Sequence, residues 1–347
     1  MIKRDDKVVC SRRRFLGGTV AAVAFGAATG LVPLPWAIRR AAAQPAGTTG
    51  TRLVLLGTQG GPNITATRSE TASAVVADGH TYLVDCGYGT LAALVRAGLP
   101  FRDVAEIFLT HLHDDHTADL AALLSHQWTD GRTETTSIYG PVGTQRLVRA
   151  AVDFEAVNAA IRLVDEHRSV KPADIVKATE IAATSSPAKV YTDERVKVTS
   201  IENTHYPESS KQRMPYRSLA YRFDARDRSI AFAGDTNYST GVVELAKGVD
   251  VLVCEVIELR SMRRAFEARV ARGAYADNSE GIWKHIVDTH ASPESVGRMA
   301  AEAGVGMLVL NHLAPGAVAE EPDASYTEGV RKHFRGKVVV GRDLMVL

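Results

Sequence analysis

Short apolar runs, each closed by turn-forming or polar residues, recur along the chain from Arg52 onward. Arg52–Leu56, Ala72–Ala77 and Thr81–Val84 read as strands, the last two joined by the turn Asp78-Gly79. Val104–Leu109 and Ser137–Tyr139 follow as further buried strands. A second set comprises Val196–Ile201, Ser218–Phe223, Ser229–Ala233, Val251–Val253 and Met307–Leu310, with Lys337–Val340 and Leu344–Val346 at the end. Helical spacing of apolar residues falls at 90–97, 118–124, 143–152, 293–303 and 326–334. The segment Pro293–Ala303 has Ser292 as N-cap, Pro293 at the first helical position and Gly304 as stop. Two sets of strands, each accompanied by helices, predict an α/β fold of the αββα type. In that four-layer sandwich two sheets pack together and helices cover both outer faces. No Pro/Gly/Ser linker divides residues 51–347, so they read as one domain.

Two segments lack strand signals. Residues 153–190 are of mixed charge and read as mostly helical, a cap beside the mouth of the site. Residues 256–289 are basic and polar with partial helical period and read as a surface insertion near it. The glycine-rich link Gly57–Pro62 has neither phosphate-loop spacing nor a following Lys-Ser, and reads as a rim of that mouth. His126 and Trp128 read as a surface imidazole and a packed indole just beyond a short helix.

The formal net charge of +1 is dominated by the N-terminal region. Ser11-Arg12-Arg13-Arg14-Phe15-Leu16 is followed by a mildly apolar Gly/Ala run, and Ala41-Ala42-Ala43 forms a small-residue cleavage site. Residues 1–43 therefore resemble a twin-arginine export signal, with 44–347 as the mature protein, periplasmic or secreted. Pro33, Pro35, Arg39 and Arg40 interrupt the apolar run too early for a spanning helix. Without residues 1–43 the chain holds 33 Lys/Arg and 38 Asp/Glu, a net of −5. That balance does not favour a nucleic-acid partner. Cys86 and Cys254 end apolar runs and read as buried free thiols.

The densest chemistry lies at Thr110-His111-Leu112-His113-Asp114-Asp115-His116. Side chains alternate along an extended chain, so His111 and His113 point one way and Leu112 the other. A turn then swings Asp115 and His116 to the same mouth. Imidazole nitrogens and carboxylate oxygens suit zinc and its neighbours. His205, Asp235 and His312 each follow a predicted strand, as His111 does. Polar metal-type residues repeated at strand ends are what a site on one edge of a sheet sandwich requires.

With its motif His111-x-His113-x-Asp115-His116 and the later His205, Asp235 and His312, the sequence resembles the metallo-β-lactamase superfamily. The likeness is to the branch of ribonuclease Z and related arylsulfatases and phosphodiesterases. It implies two metal ions, usually zinc, with Mn2+ or Fe2+ able to serve. His111, His113 and His205 would hold one ion, Asp115, His116 and His312 the other, and Asp235 would bridge them. Asp235 rather than Cys at the bridging motif departs from the common β-lactamase pattern. Asp288-Thr289-His290-Ala291-Ser292 resembles the segment carrying that branch's proton-donating His. Cys254-Glu255-Val256 resembles the segment whose Glu orients it, although Cys254 stands where the branch often has His.

These roles fit ester hydrolysis. Water between two divalent ions is acidified to hydroxide near neutral pH, and His290 held by Glu255 could protonate the leaving oxygen. The first expectation is an exported dinuclear zinc hydrolase cleaving a small phosphodiester or sulfate ester, with Asp115, Glu255 and His290 as catalytic residues. The alternatives are a ribonuclease Z-type tRNA 3′ endonuclease, a lactonase, β-lactamase or hydrolytic dehalogenase, and a non-catalytic metal-binding protein. The partners expected are a small-molecule ester and the twin-arginine export machinery, with no stable membrane insertion after cleavage. A homodimer is compatible with the sequence but not written in it.

Overall fold

The computed structural model describes residues 50–318 and 322–347, so the export-signal reading lies outside the described residues. The first sheet has the order β14-β1-β2-β3-β4-β5-β6. Its strands are β1 (Arg52–Gly57), β2 (Ala72–Ala77), β3 (His80–Val84), β4 (Glu106–Phe108), β5 (Thr136–Gly140), β6 (Val176–Glu180) and β14 (Met345–Val346). The second has the order β13-β12-β11-β10-β9-β8-β7. It comprises β7 (Ala188–Thr192), β8 (Val196–Glu202), β9 (Leu219–Ala225), β10 (Ser229–Phe232), β11 (Val251–Ile257), β12 (Met307–Ala314) and β13 (Lys337–Val340). Both sheets are mixed: hairpins are antiparallel, and strands linked through helices run parallel.

Helices α1 (Thr90–Arg96), α2 (Leu120–Thr129), α3 (Thr144–Phe154) and α4 (Ala156–Asp165) belong to the first half. The second half carries α5 (Glu208–Lys211), α6 (Thr240–Leu245), α7 (Leu259–Val270), α8 (Ser279–Thr289), α9 (Pro293–Ala303) and α10 (Asp323–Arg331). Alternation along the strands sets the layers. Leu53 and Leu55 of β1 face the core between the sheets, where they join Phe108, Tyr221, Phe223 and Val253. Val54 and Leu56 turn outward to pack with Leu94, Leu120 and Leu123 beneath the first helix layer. On the far side Val242, Val296, Met299 and Tyr326 cover Leu252, Leu308 and Leu310. The αββα sandwich expected from the sequence is therefore the fold. None of the described helices is long and apolar enough to cross a membrane.

Phe108 anchors the strand that leads to the histidine cluster. Its ring stacks on Tyr139 at 5.0 Å and meets Phe223 edge-on at 5.1 Å, joining both sheets. Truncating such a buried ring costs about 3–5 kcal/mol, so the base of the site is rigid.

Two local expectations are corrected. Residues 153–190 contain β6 and the start of β7, and none of them lines the cavity over the site. The strand signal is weak there because β6 is an edge strand with no residue fully buried. His126 and Trp128 lie on α2 rather than beyond it; Trp128 is buried and donates from Nε1 to the Val170 carbonyl at 2.8 Å, while His126 is exposed. Residues 256–289, read as an insertion near the site, lie beside it as a helix pair, α7 and α8, whose side chains form part of the cavity wall.

Candidate active site

Three of the site residues are placed by one device. His111, His205 and Asp235 each stand three residues past the last residue of a strand, β4, β8 and β10 respectively. After His113 a 3-10 turn, Asp114–His116, reverses the chain and brings Asp115 and His116 back toward His111. Gly234 makes the corresponding bend before Asp235 with φ +62, and a Cβ there would lie 2.9 Å from the Leu219 carbonyl oxygen.

His312 arrives differently, and here the sequence reading is corrected: it lies inside β12 rather than after it. Asn311 pairs with Glu255 and Leu313 with Val256, which leaves His312 as the extra residue of a β-bulge at φ +42. A bulge re-aims one side chain out of the strand's alternation. It turns His312 toward the groups carried by the first sheet.

Two clusters result. In the first, His111 Nε2 is 3.0 Å from His113 Nδ1, and His205 Nε2 is 3.2 Å from the same nitrogen. Nitrogens sharing a tetrahedral zinc at 2.0–2.1 Å lie about 3.3 Å apart. In the second, His312 Nε2 is 3.2 Å from Asp115 Oδ2 and 3.1 Å from Asp235 Oδ2, and His116 Nε2 is 3.2 Å from Asp235 Oδ1. Asp235 Oδ2 also lies 3.8 Å from His111 Nε2, so this one carboxylate faces both groups. His116 Nε2 and Asp235 Oδ1 are buried and make no hydrogen bond within the described residues. Buried imidazole nitrogens and carboxylate oxygens converging on one space fit cations, which would take the place of the protons they otherwise share. The donor set thus suits two metal ions.

Neighbouring groups fix these donors. Asp85, at φ +60 after β3, accepts from His116 Nδ1 at 2.9 Å and from the Thr110 amide at 2.8 Å, leaving His116 Nε2 free. His205 Nδ1 donates to the Thr289 carbonyl at 3.3 Å, leaving its Nε2 free likewise. The signal for Asp85 in the sequence is its position at a strand exit, like the other donors. Carboxylates that orient a ligating imidazole commonly control metal affinity. Asp85→Ala is expected to weaken binding of the second ion by about 10- to 100-fold. Competition against a chelator measures this, and unchanged affinity would show that Asp85 is merely structural.

The two clusters differ in protonation. Burial, reinforced by neighbouring imidazoles, holds His111, His113 and His205 below their ordinary range, hence neutral at pH 7. Burial opposes charge on His312 too, but Asp235 and Asp115 raise it to about 10, and Asp235, Asp85 and Asp115 likewise raise His116. A raised pKa means that protons compete with metal below that value. In chelator-stripped protein the first ion is therefore expected to bind near pH 7 without proton release. The second should displace protons from His116 and His312, and its affinity should climb with pH up to about 10. Calorimetry in buffers of different ionisation enthalpy tests this; equal buffer dependence of both steps would contradict it.

Glu255 and His290 meet as the sequence suggests. His290 Nδ1 donates to Glu255 Oε2 at 2.8 Å, with Oε1 at 3.1 Å, and Glu255 also accepts from the Thr236 amide. Burial resists charge on His290, but Glu255 and Asp235 raise its pKa. Its other nitrogen is left for the cavity that His290 lines together with His113, Asp115, Asp235 and His312. The cavity, of about 240 Å3, is rimmed by Gly60–Asn63 and walled by α7 and α8. It also contains His285, which the sequence reading passed over and which burial and His290 depress to about 4. Cys86 and Cys254 are buried free thiols, as expected.

Comparison with known proteins gives a consistent picture. A family model described as a β-lactamase superfamily domain matches residues 80–313. A protein named ribonuclease Z from Mycobacterium avium strain 104 is 31% identical over 295 residues, 84% of this chain and 96% of that protein. Human tRNase Z, short form, superposes with a TM-score of 0.58 at 21% identity, covering 85% of this chain and 98% of its own. Zinc-bound PqqB from Methylobacterium extorquens superposes at 0.56 with 16% identity, covering 85% and 99%.

Proposed function

Because the chain belongs to the metallo-β-lactamase superfamily, with a paired His/Asp metal site, we propose that it is a dinuclear phosphodiesterase using ribonuclease Z-type chemistry. The carrying observation is that members of both donor clusters and His290, held by Glu255, line one cavity. In this reading His111, His113 and His205 hold one ion, and Asp115, His116 and His312 the other, with Asp235 between them. Zinc suits the donors best, and Mn2+ or Fe2+ could replace it. When bound, two such ions supply an acidified water as nucleophile and a positive field for the charge that builds at phosphorus.

The chain's own groups do the rest. Burial resists charge on Asp115 and Asp235, but His116 and His312 keep both ionised, so they would hold bound cations. Glu255 accepts from His290 Nδ1, fixes the ring and favours its protonated form, so that Nε2–H can pass its proton to the departing alkoxide.

Substrate is the open choice. A precursor-tRNA 3′ end is supported by relatives named ribonuclease Z at up to 31% identity. A small phosphodiester or sulfate ester is supported by the cavity, which among the described residues no Lys or Arg lines. If Ser11–Leu16 directs export through the twin-arginine pathway, the protein reaches the periplasm or medium and meets the small ester rather than tRNA. Zinc-loaded protein is therefore to be tested on precursor tRNA, bis-p-nitrophenyl phosphate and p-nitrophenyl sulfate side by side, with a reporter fused to residues 1–50 to fix location. Cleavage of tRNA alone selects the ribonuclease; cleavage of neither phosphodiester defeats the proposal.

A further inference from the structure

The cavity over the donor clusters has a composition that the metal site does not require. Ile257, Met262, Tyr275, Ile282 and Ile286 line it, largely from α7 and α8, and among the described residues no Lys or Arg does. Its fixed charges are carboxylates, Asp114, Asp115 and Asp235, the last two already engaged with the imidazoles. A substrate part carrying its own phosphate or carboxylate would lose water here with no Lys or Arg to pair it, His290 being committed to the leaving oxygen. His290 lines the same space, so the alcohol that it protonates occupies it.

Among those apolar groups stands His285. One ring nitrogen from each of His205, His285 and His290 lies within 4.8 Å of the others. The Thr289 hydroxyl has a single hydrogen, which it gives to the His285 carbonyl at 2.8 Å. At 3.3 Å from His285 Nδ1 the same oxygen can therefore only accept. The neutral ring then carries its hydrogen on Nδ1, turned back toward the helix. Nε2, on the opposite edge, keeps a lone pair for the cavity.

We propose that the cavity receives the alcohol half of the ester, that this half is uncharged and largely apolar, and that His285 accepts a hydrogen bond from a hydroxyl or N–H upon it. This rests on the phosphodiesterase reading and makes His285 a specificity-determining residue rather than a metal ligand.

The test uses zinc-loaded protein, wild type and His285→Leu, on methyl phenyl phosphate and its 3-hydroxyphenyl and 3-carboxyphenyl counterparts. The ring hydroxyl is expected to raise kcat/KM about tenfold in wild type and less than about twofold in His285→Leu, the scale of one hydrogen bond. His285→Gln, which retains an acceptor, should recover part of the preference, and the carboxylate should lower kcat/KM in every protein. Zinc content should stay unchanged. In parallel, calorimetry should find resorcinol binding more tightly than phenol to wild type but not to His285→Leu. Loss of zinc from His285→Leu, an equal loss on all three esters, or preference for the carboxylate would each overturn the assignment. If no ester is hydrolysed but the resorcinol preference persists and depends on His285, the phosphodiesterase reading falls while the cavity assignment stands. If that preference is absent, the assignment itself falls.

Discussion

Asp235→Ala is expected to abolish measurable turnover, lowering kcat/KM by at least about three orders of magnitude, or roughly 4 kcal/mol of transition-state stabilisation. The reason is its position. Its Oδ1 faces His116 Nε2 at 3.2 Å, while Oδ2 faces His312 Nε2 at 3.1 Å and His111 Nε2 at 3.8 Å. Among the described residues no other carboxylate is within 4 Å of imidazoles of both clusters. Removing it leaves His116 and His312 with less opposing charge and withdraws the carboxylate that would sit between two bound cations. Metal analysis should find the second ion lost first, because His111, His113 and His205 still form a three-nitrogen site. A variant that keeps both ions and at least a tenth of wild-type activity would contradict the bridging role.

His290→Ala should have the second largest effect, and one that depends on the leaving group. For esters of poorly acidic alcohols a positioned proton donor contributes about 10^2- to 10^4-fold, and the variant should lose that much of kcat. For p-nitrophenyl esters, whose anion departs unaided, the loss should be under about tenfold. The pH profile carries the sign. Glu255 raises the pKa of His290, so the donor form persists below that raised value and activity should fall as pH climbs through it. In His290→Ala the alkaline limb should vanish for alkyl esters while the acidic limb remains. Identical losses on both ester types, or an unmoved alkaline limb, would place the proton elsewhere.

How far the sequence alone carries follows from where each signal lives. His111, His205 and Asp235 were legible because a strand's apolar alternation ends abruptly and a metal-type residue follows three positions on. His312 was found by its residue type but misplaced, because a bulge is a pairing event between β11 and β12 that no single strand encodes. Asp85 was overlooked because Asp-x-Gly after a strand is also an ordinary turn; its role appears only once His116 has swung back beside it. His285 carries no motif, and only the packing of α8 over the donors brings it to the cavity. The segment 153–190 misled for an energetic reason: an edge strand needs little apolar surface, so β6 gives a mixed-charge reading that resembles a helix.

The bulged His312 meets Asp115 across 197 residues of chain, each rooted in a different sheet. Ions seated between them would therefore act as a clasp on the sandwich as well as a reaction centre. Each ion bound only by the folded chain adds about 2.7 kcal/mol at a hundredfold excess over its Kd. Chelation should accordingly lower the melting temperature and loosen the open edge between the sheets before the aromatic cluster around Phe108 gives way. Hydrogen exchange would register that loosening first in the amides of 110–117 and 311–313, so the protein's mechanical integrity and its chemistry would be lost at the same place.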